Sequence, residues 1–172
     1  MNNPIIKIIM DDDSTIELEL YPEIAPITVE NFLKLIDEKY FDNLCFHRII
    51  DNFMIQGGGY YVDGNELKMA KECNTIKGEF LSNGVKNTIK HVPGVISMAR
   101  TSNPNSATSQ FFICSADTPH LDGEYAAFGK TINQESLDNV MRLSKVPTVN
   151  IGGGMTDFPY PIVSIKTIER VK

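Results

Sequence analysis

No stretch of about 18 consecutive apolar residues occurs in this chain of 172 residues, so no membrane-spanning helix is expected. Positive charge is scarce. Sixteen Lys and Arg stand against 22 Asp and Glu, a formal net charge of −6, and no basic cluster suits a phosphate backbone. A nucleic-acid partner is therefore not expected. Cysteine is sparse as well. Cys45, Cys73 and Cys114 are odd in number, widely spaced and without a Cys-x-x-Cys. The three histidines, His47, His91 and His120, show no metal-ligand spacing with them, so no zinc site is expected. Cys45 and Cys114 sit in apolar runs and read as inert core thiols. The start, Met1-Asn2-Asn3-Pro4-Ile5, lacks the basic n-region and long apolar stretch of a secretory leader, which points to a cytoplasmic protein.

Phosphate loops are missing too. Gly57-Gly58-Gly59 is followed by Tyr60-Tyr61-Val62, and Gly152-Gly153-Gly154 by Met155-Thr156-Asp157. Neither carries Lys-Ser/Thr or a dinucleotide spacing, so both read as tight turns or close backbone packing. The run Asp11-Asp12-Asp13 lacks the alternating ligands and closing Glu of a calcium loop and reads as a solvated turn.

What is present is mostly strand. Apolar residues make up 42% of the chain, enough for a core in one domain over residues 1–172. Ile5 to Met10 is an apolar run, and Thr15 to Leu20 alternates. Pro26 to Tyr40 predicts a helix, with Val29, Phe32, Leu33, Ile36 and Tyr40 on one face and Pro26 in the first turn. A second helix is predicted from about Glu135 to Ser144, and Ile162 to Val171 alternates as a terminal strand. Strands with two separated helices predict an antiparallel barrel or sandwich.

The chemistry concentrates in Phe46-His47-Arg48-Ile49-Ile50-Asp51-Asn52-Phe53-Met54-Ile55-Gln56, two short strands joined by Asp51-Asn52. Arg48 stands where a strand core predicts an aliphatic residue. A guanidinium beside apolar groups is costly unless it is used, although an Arg can also lie on the solvent face with its stem packed. A second block, Gly94 to Cys114, carries an apolar strand into a Ser/Thr/Asn loop and then Gln110-Phe111-Phe112-Ile113. A third, His120-Leu121-Asp122-Gly123, turns into the strand around Ala126 to Lys130. His47, Ser97 and an Asp could form a hydrolase triad, but no Gly-x-Ser-x-Gly elbow exists. His47 reads instead as a packed, hydrogen-bonding residue, and Phe111 as core because it alternates with Phe112.

Together, Phe46-His47-Arg48-Ile49, Phe53-Met54-Ile55-Gln56-Gly57-Gly58, Ser97-Met98-Ala99, Ser109-Gln110-Phe111-Phe112-Ile113 and Leu121-Asp122-Gly123 resemble the signature blocks of a cyclophilin-type peptidyl-prolyl cis-trans isomerase. The Met-Ala-Arg-Thr stretch resembles bacterial members. The resemblance implies a mainly β fold, a closed eight-stranded antiparallel β-barrel capped by two α-helices. It implies Arg48 as the catalytic residue. It implies Phe53, Met54, Gln56, Ala99, Arg100, Thr101, Gln110, Phe112, His120, Leu121 and Tyr125 as the substrate groove. For Arg100 the contribution could be that of its backbone alone. No metal or cofactor is needed, because no bond is broken. The expected partners are proline-containing peptides and folding proteins, met by a monomer. A groove that only binds such segments, without turnover, is the alternative, and the retained Arg48 speaks against it.

Two departures stand out. His120 occupies the place of a Trp common in cyclosporin-sensitive members, and Tyr125 that of a common His, so cyclosporin is expected to bind weakly. The Gly-rich loop usual after the Phe-Met-x-Gln-Gly block is replaced by Tyr60 to Thr75, for which no role is implied.

Overall fold

The computed structural model describes residues 3–171; Met1 and Asn2, the first residues of the leader reading, and Lys172 lie outside the described residues. Strand β1 (Ile5–Met10) and strand β2 (Thr15–Leu20) form the first hairpin, with Asp13 left-handed at the turn. Ile6, Ile8 and Met10 point inward, as do Ile16, Leu18 and Leu20. The apolar run of β1 thus resolves into alternation, because its other face is only half covered.

Helix α1 (Pro26–Asp37) ends before Tyr40. Lys39 takes φ 59°, and the N–H groups of Lys39 and Tyr40 reach back to Ile36 O and Leu35 O, 3.0 Å each. This is a Schellman ending made without glycine, so the usual stop signal is missing from the sequence. Tyr40, folded back by it, still packs on the core. Helix α2 (Gln134–Leu143) starts at Asn133, whose side chain accepts from Ser136 N at 2.8 Å.

The remaining strands are β3 (Arg48–Ile50), β4 (Met54–Gly57), β5 (Tyr60–Asp63), β6 (Glu66–Met69), β7 (Val95–Met98), β8 (Phe111–Cys114), β9 (Ala127–Thr131), β10 (Thr148–Val149), β11 (Phe158–Pro159) and β12 (Ile165–Arg170). Eight of the strands form one antiparallel sheet in the order β12-β1-β2-β9-β7-β8-β4-β3. The expected barrel is present, with one correction to its closure. Its end strands share no ladder. Instead the irregular segment before β3 meets the one leading into β12, with Phe46 N donating to Val163 O at 2.9 Å and Ile165 N to Leu44 O at 2.8 Å. α1 packs against β12, and α2 against β2 and β9.

The core centres on Phe32, whose ring lies 5.0 Å from Phe41, 5.4 Å from Phe111 and 5.1 Å from Phe128. The glycines at 57 and 58 serve close packing. A Cβ on Gly57 would stand 2.8 Å from Cys45 O, and one on Gly58 2.7 Å from Ser109 O. The segment after them becomes the outlying hairpin β5–β6.

Candidate active site

The site is laid out by strand register. Arg48 pairs with Gln56, Gln56 with Phe112, and Phe112 with Ser97, one rung across β3, β4, β8 and β7. The next rung is Ile49, Ile55, Ile113 and Ile96, all buried in the barrel. Side chains on adjacent rungs face opposite sides of a sheet. Arg48, Gln56 and Phe112 therefore stand on the outer face, backed by isoleucines on the inner one. A small second apolar cluster gathers there, made of Met54, Phe112, Cys114 and Leu121 with Phe53, Ala99 and Tyr125 against it.

Arg48 is exposed at the edge of this cluster. Its Nη1 donates to Gln56 Oε1 at 3.3 Å, and Gln56 Nε2 donates to Gln110 Oε1 at 3.1 Å. The two amides thereby aim the guanidinium. A cavity of about 160 Å³ is lined by Arg48, Phe53, Met54, Gln56, Ala99, Arg100, Phe112, Leu121 and Tyr125. Of the remaining groove residues, Gln110 sits behind Gln56. Thr101 is an exposed rim residue whose N–H donates to Ser106 Oγ at 2.9 Å. His120 is exposed, its ring 5.8 Å from Phe53 and outside the cavity lining. A larger cleft of about 800 Å³ lies by Lys34, Tyr40 and Cys73 and holds none of these residues.

The alternative left open for Arg100 and the hydrogen-bonding reading of His47 need correction. The Arg100 side chain is not idle in solvent. Its Nη2 donates to Glu124 O at 2.6 Å and its Nη1 to Thr101 O at 2.9 Å. Its guanidinium carbon lies 4.6 Å from the centre of the Tyr125 ring and 4.8 Å from that of Phe80, within cation–π range of both. It fastens the groove rim. His47 is packed, with its ring 4.6 Å from Tyr60, but its buried Nδ1 has no partner among the described residues. Burial, with Arg48 adding, pushes His47 down to about 4. The thiols of Cys45 and Cys114 are pushed up to about 11 by burial, as inert core groups should be.

The histidine beside Ser97 is His91. Its Nε2 lies 2.9 Å from Ser97 Oγ and its Nδ1 3.0 Å from Asp122 Oδ1. Ser97 is fully buried, so this trio cannot present a nucleophile. Burial dominates over the Asp122 contact and lowers His91 from its ordinary value. The contact is therefore a hydrogen bond from an uncharged ring at neutral pH, not an ion pair.

Residues 5–170 match the family model described as cyclophilin type peptidyl-prolyl cis-trans isomerase/CLD. The chain belongs to the cyclophilin-type peptidyl-prolyl cis-trans isomerases. It is 42% identical to a peptidyl-prolyl cis-trans isomerase of Acinetobacter baylyi, covering 91% of this chain and 83% of that protein. It is 39% identical to peptidyl-prolyl cis-trans isomerase A of Dickeya dadantii, covering 90% and 80%. A crystal structure of a Cryptosporidium parvum cyclophilin superposes with TM-score 0.76 at 28% identity, covering 99% of this chain and 98% of that one. The same protein in the presence of the dipeptide Ala-Pro gives TM-score 0.72 at 29% identity, covering 95% and 96%. This cyclophilin is thus an isomerase.

Sequence reasoning missed His91 and Asp122 as neighbours of the site, and Phe80 as a partner of Arg100. Asp122 lay inside the Leu-Asp-Gly block without a role. His91 and Phe80 gave no local signal, since their partners are distant in the chain.

Proposed function

We propose that this cyclophilin turns over X–Pro bonds with Arg48 as the hydrogen-bond donor to the prolyl nitrogen. The cavity bounded by Phe53, Met54, Phe112 and Leu121 holds the proline ring. The observation that carries this reading is the rung Arg48–Gln56–Phe112, which puts an aimed guanidinium and an apolar wall beside one cavity.

The physical reasoning starts from the amide. Its C–N bond has partial double-bond character, and X–Pro isomerisation takes tens to hundreds of seconds. In the twisted transition state the nitrogen regains a lone pair. A donor aimed at that nitrogen binds the twisted state better than the planar one, which is the differential binding that catalysis needs. An acceleration of about 10⁵-fold requires about 7 kcal/mol. One preorganised donor supplies about 3–4 of these, and holding the ring and the flanking peptide supplies the rest. Gln56, Gln110 and the chain from Ala99 to Thr101 hold the flanking peptide groups, with Tyr125 completing the wall and His120 at the outer edge of the groove. The substrates are proline-containing peptides and folding chains, consistent with the Ala-Pro present with the structural neighbour. The enzyme acts as a cytoplasmic monomer. Cyclosporin binds weakly, since His120 supplies no indole.

The test is proline isomerisation in a short peptide, with and without the protein, alongside a binding titration. Acceleration at catalytic protein concentration is expected. Binding without acceleration overturns the catalytic reading in favour of a proline-binding groove.

A further inference from the structure

Ser97 sits opposite Phe112 on the rung that carries the site, yet its hydroxyl is sealed from solvent. A buried polar chain is costly unless every member is satisfied, and when satisfied it holds one geometry. Here it is satisfied. A carboxylate can only accept, and Asp122 Oδ1 receives both the His91 backbone N–H at 2.6 Å and its Nδ1 at 3.0 Å. The ring proton therefore sits on Nδ1. Nε2 is left as an acceptor, so the Ser97 hydroxyl donates to it at 2.9 Å.

This chain ties together both walls of the cavity. Phe112 lies nearly parallel to the His91 ring, with centroids 6.0 Å apart and planes 20° apart. Asp122 follows Leu121 directly, and the Thr118 N–H at the base of that turn donates to His91 O at 2.9 Å. His91 thus stacks its ring on one wall and holds with its main chain the turn that carries the other. None of the three polar groups lines the cavity, so none touches substrate.

We propose that the Asp122–His91–Ser97 chain is a positioning device that holds Phe112 in place beside Leu121, with His91 in its Nδ1-protonated form, and that the isomerisation rate on the enzyme depends on it. This rests on the reading of Phe112 and Leu121 as walls of the proline site.

Asp122→Ala is the informative change. It removes the one oxygen that accepts from both the His91 backbone N–H and Nδ1, and leaves the ring free to move its proton to Nε2 and donate to Ser97. Three measurements decide. The first is the imidazole ¹⁵N shifts of His91. The second is the affinity for a proline peptide. The third is the rate of cis-trans exchange of the saturated peptide by NMR. In the unmodified protein His91 should show the Nδ1-protonated tautomer. In Asp122→Ala that tautomer should be lost and exchange should slow by about tenfold, below the hundredfold cost of a 1 Å misplacement. Affinity should move less than about threefold, a shift of under about 0.7 kcal/mol. If Asp122→Ala does not fold, His91→Gln, which keeps an acceptor for Ser97 without the flat ring, should give the same split between rate and affinity. Unchanged exchange in a variant whose tautomer is lost overturns the proposal. So does a fall in affinity as large as the fall in rate. No acceleration by the unmodified protein would instead overturn the catalytic reading on which the proposal stands.

Discussion

Phe111 and Phe112 are adjacent in β8 and belong to different structures. Phe111 is fully buried inside the barrel, with its ring 5.8 Å from Phe46 and 5.7 Å from Phe41. Phe112 faces outward among Met54, Cys114 and Leu121. Truncating each should therefore fail differently. Phe111→Ala should lower stability by about 3–5 kcal/mol. Phe112→Ala should weaken peptide binding and turnover together while costing less stability. Denaturant melts and a peptide titration check this, and the reverse pattern would put the facing of β8 in error.

The Arg48 side chain is exposed and makes one long hydrogen bond among the described residues, so the fold does not depend on it. Arg48→Ala should melt like the unmodified protein and lose about 10²–10³-fold in kcat/KM. Arg48→Lys should also be impaired, because a compact ammonium lacks the planar fork that Gln56 aims. A peptide assay giving full activity for Arg48→Ala would remove the donor from the mechanism.

On the proposed reading, His120 should bear on inhibition more than on turnover. Its ring is exposed and stands off the cavity, 5.8 Å from Phe53. An indole there would add flat apolar area and an N–H donor. One such contact is worth about 1.5–3 kcal/mol, or about 10- to 150-fold in affinity. His120→Trp should tighten cyclosporin inhibition by that factor with little change in turnover. Nanomolar inhibition of the unmodified protein would show that the rest of the groove suffices.

The start of α1 carries no cap of its own, since Ala25 occupies the cap position. Glu79, buried and far along the chain, supplies one. Its carboxylate accepts from Thr28 N at 2.6 Å, Thr28 Oγ1 at 2.7 Å and Ile27 N at 3.2 Å. Glu79→Ala strips those donors and should cost about 2–4 kcal/mol, combining a lost cap with unmet buried groups. A melting temperature unchanged in Glu79→Ala would show that water replaces the carboxylate.

Stability should fall on mild acidification. His47 titrates at about 4 in the folded state, against about 6.5 when unfolded. The unfolded chain therefore binds more protons between those values. The stability this neutral ring confers is fully present above about pH 6.5 and lost as pH falls toward 4, at most about 3 kcal/mol. His91 shifts in the same direction, burial again dominating. Denaturant midpoints across this window should drop, and His47→Gln should flatten the slope. An unchanged slope would mean that His47 opens to solvent before it titrates.

Much of this was legible locally. The apolar period of Val29, Phe32, Leu33 and Ile36 marks one buried helix face, and these residues are buried in α1. The pair Asp51-Asn52 between two apolar runs marks a hairpin, and Asn52 sits there with φ 59°. Arg48, Phe112 and their companions were named from the order of the motif blocks. The end of α1 was not legible, because Lys39 adopts a left-handed turn without the glycine that usually signals it. The capping of α1 by Glu79 was equally hidden, since the donor and the acceptor are some 50 residues apart.

The sequence by itself determined which residues share a strand face, because alternation is a property of the extended backbone, and in β2 it also determined which face is inward. It also determined the family, through blocks whose order survives in the linear chain. Only the tertiary structure decided which outward residues meet. Ser97 could have faced His47 or His91, and pairing of β7 with β8, together with the turn from Thr118 to Asp122, gives it His91. Arg100 could have been a loop residue, and Phe80 and Tyr125 make it a rim clamp. Such choices depend on strand register and loop closure, which bring distant residues into contact and leave no local trace in the order of the amino acids.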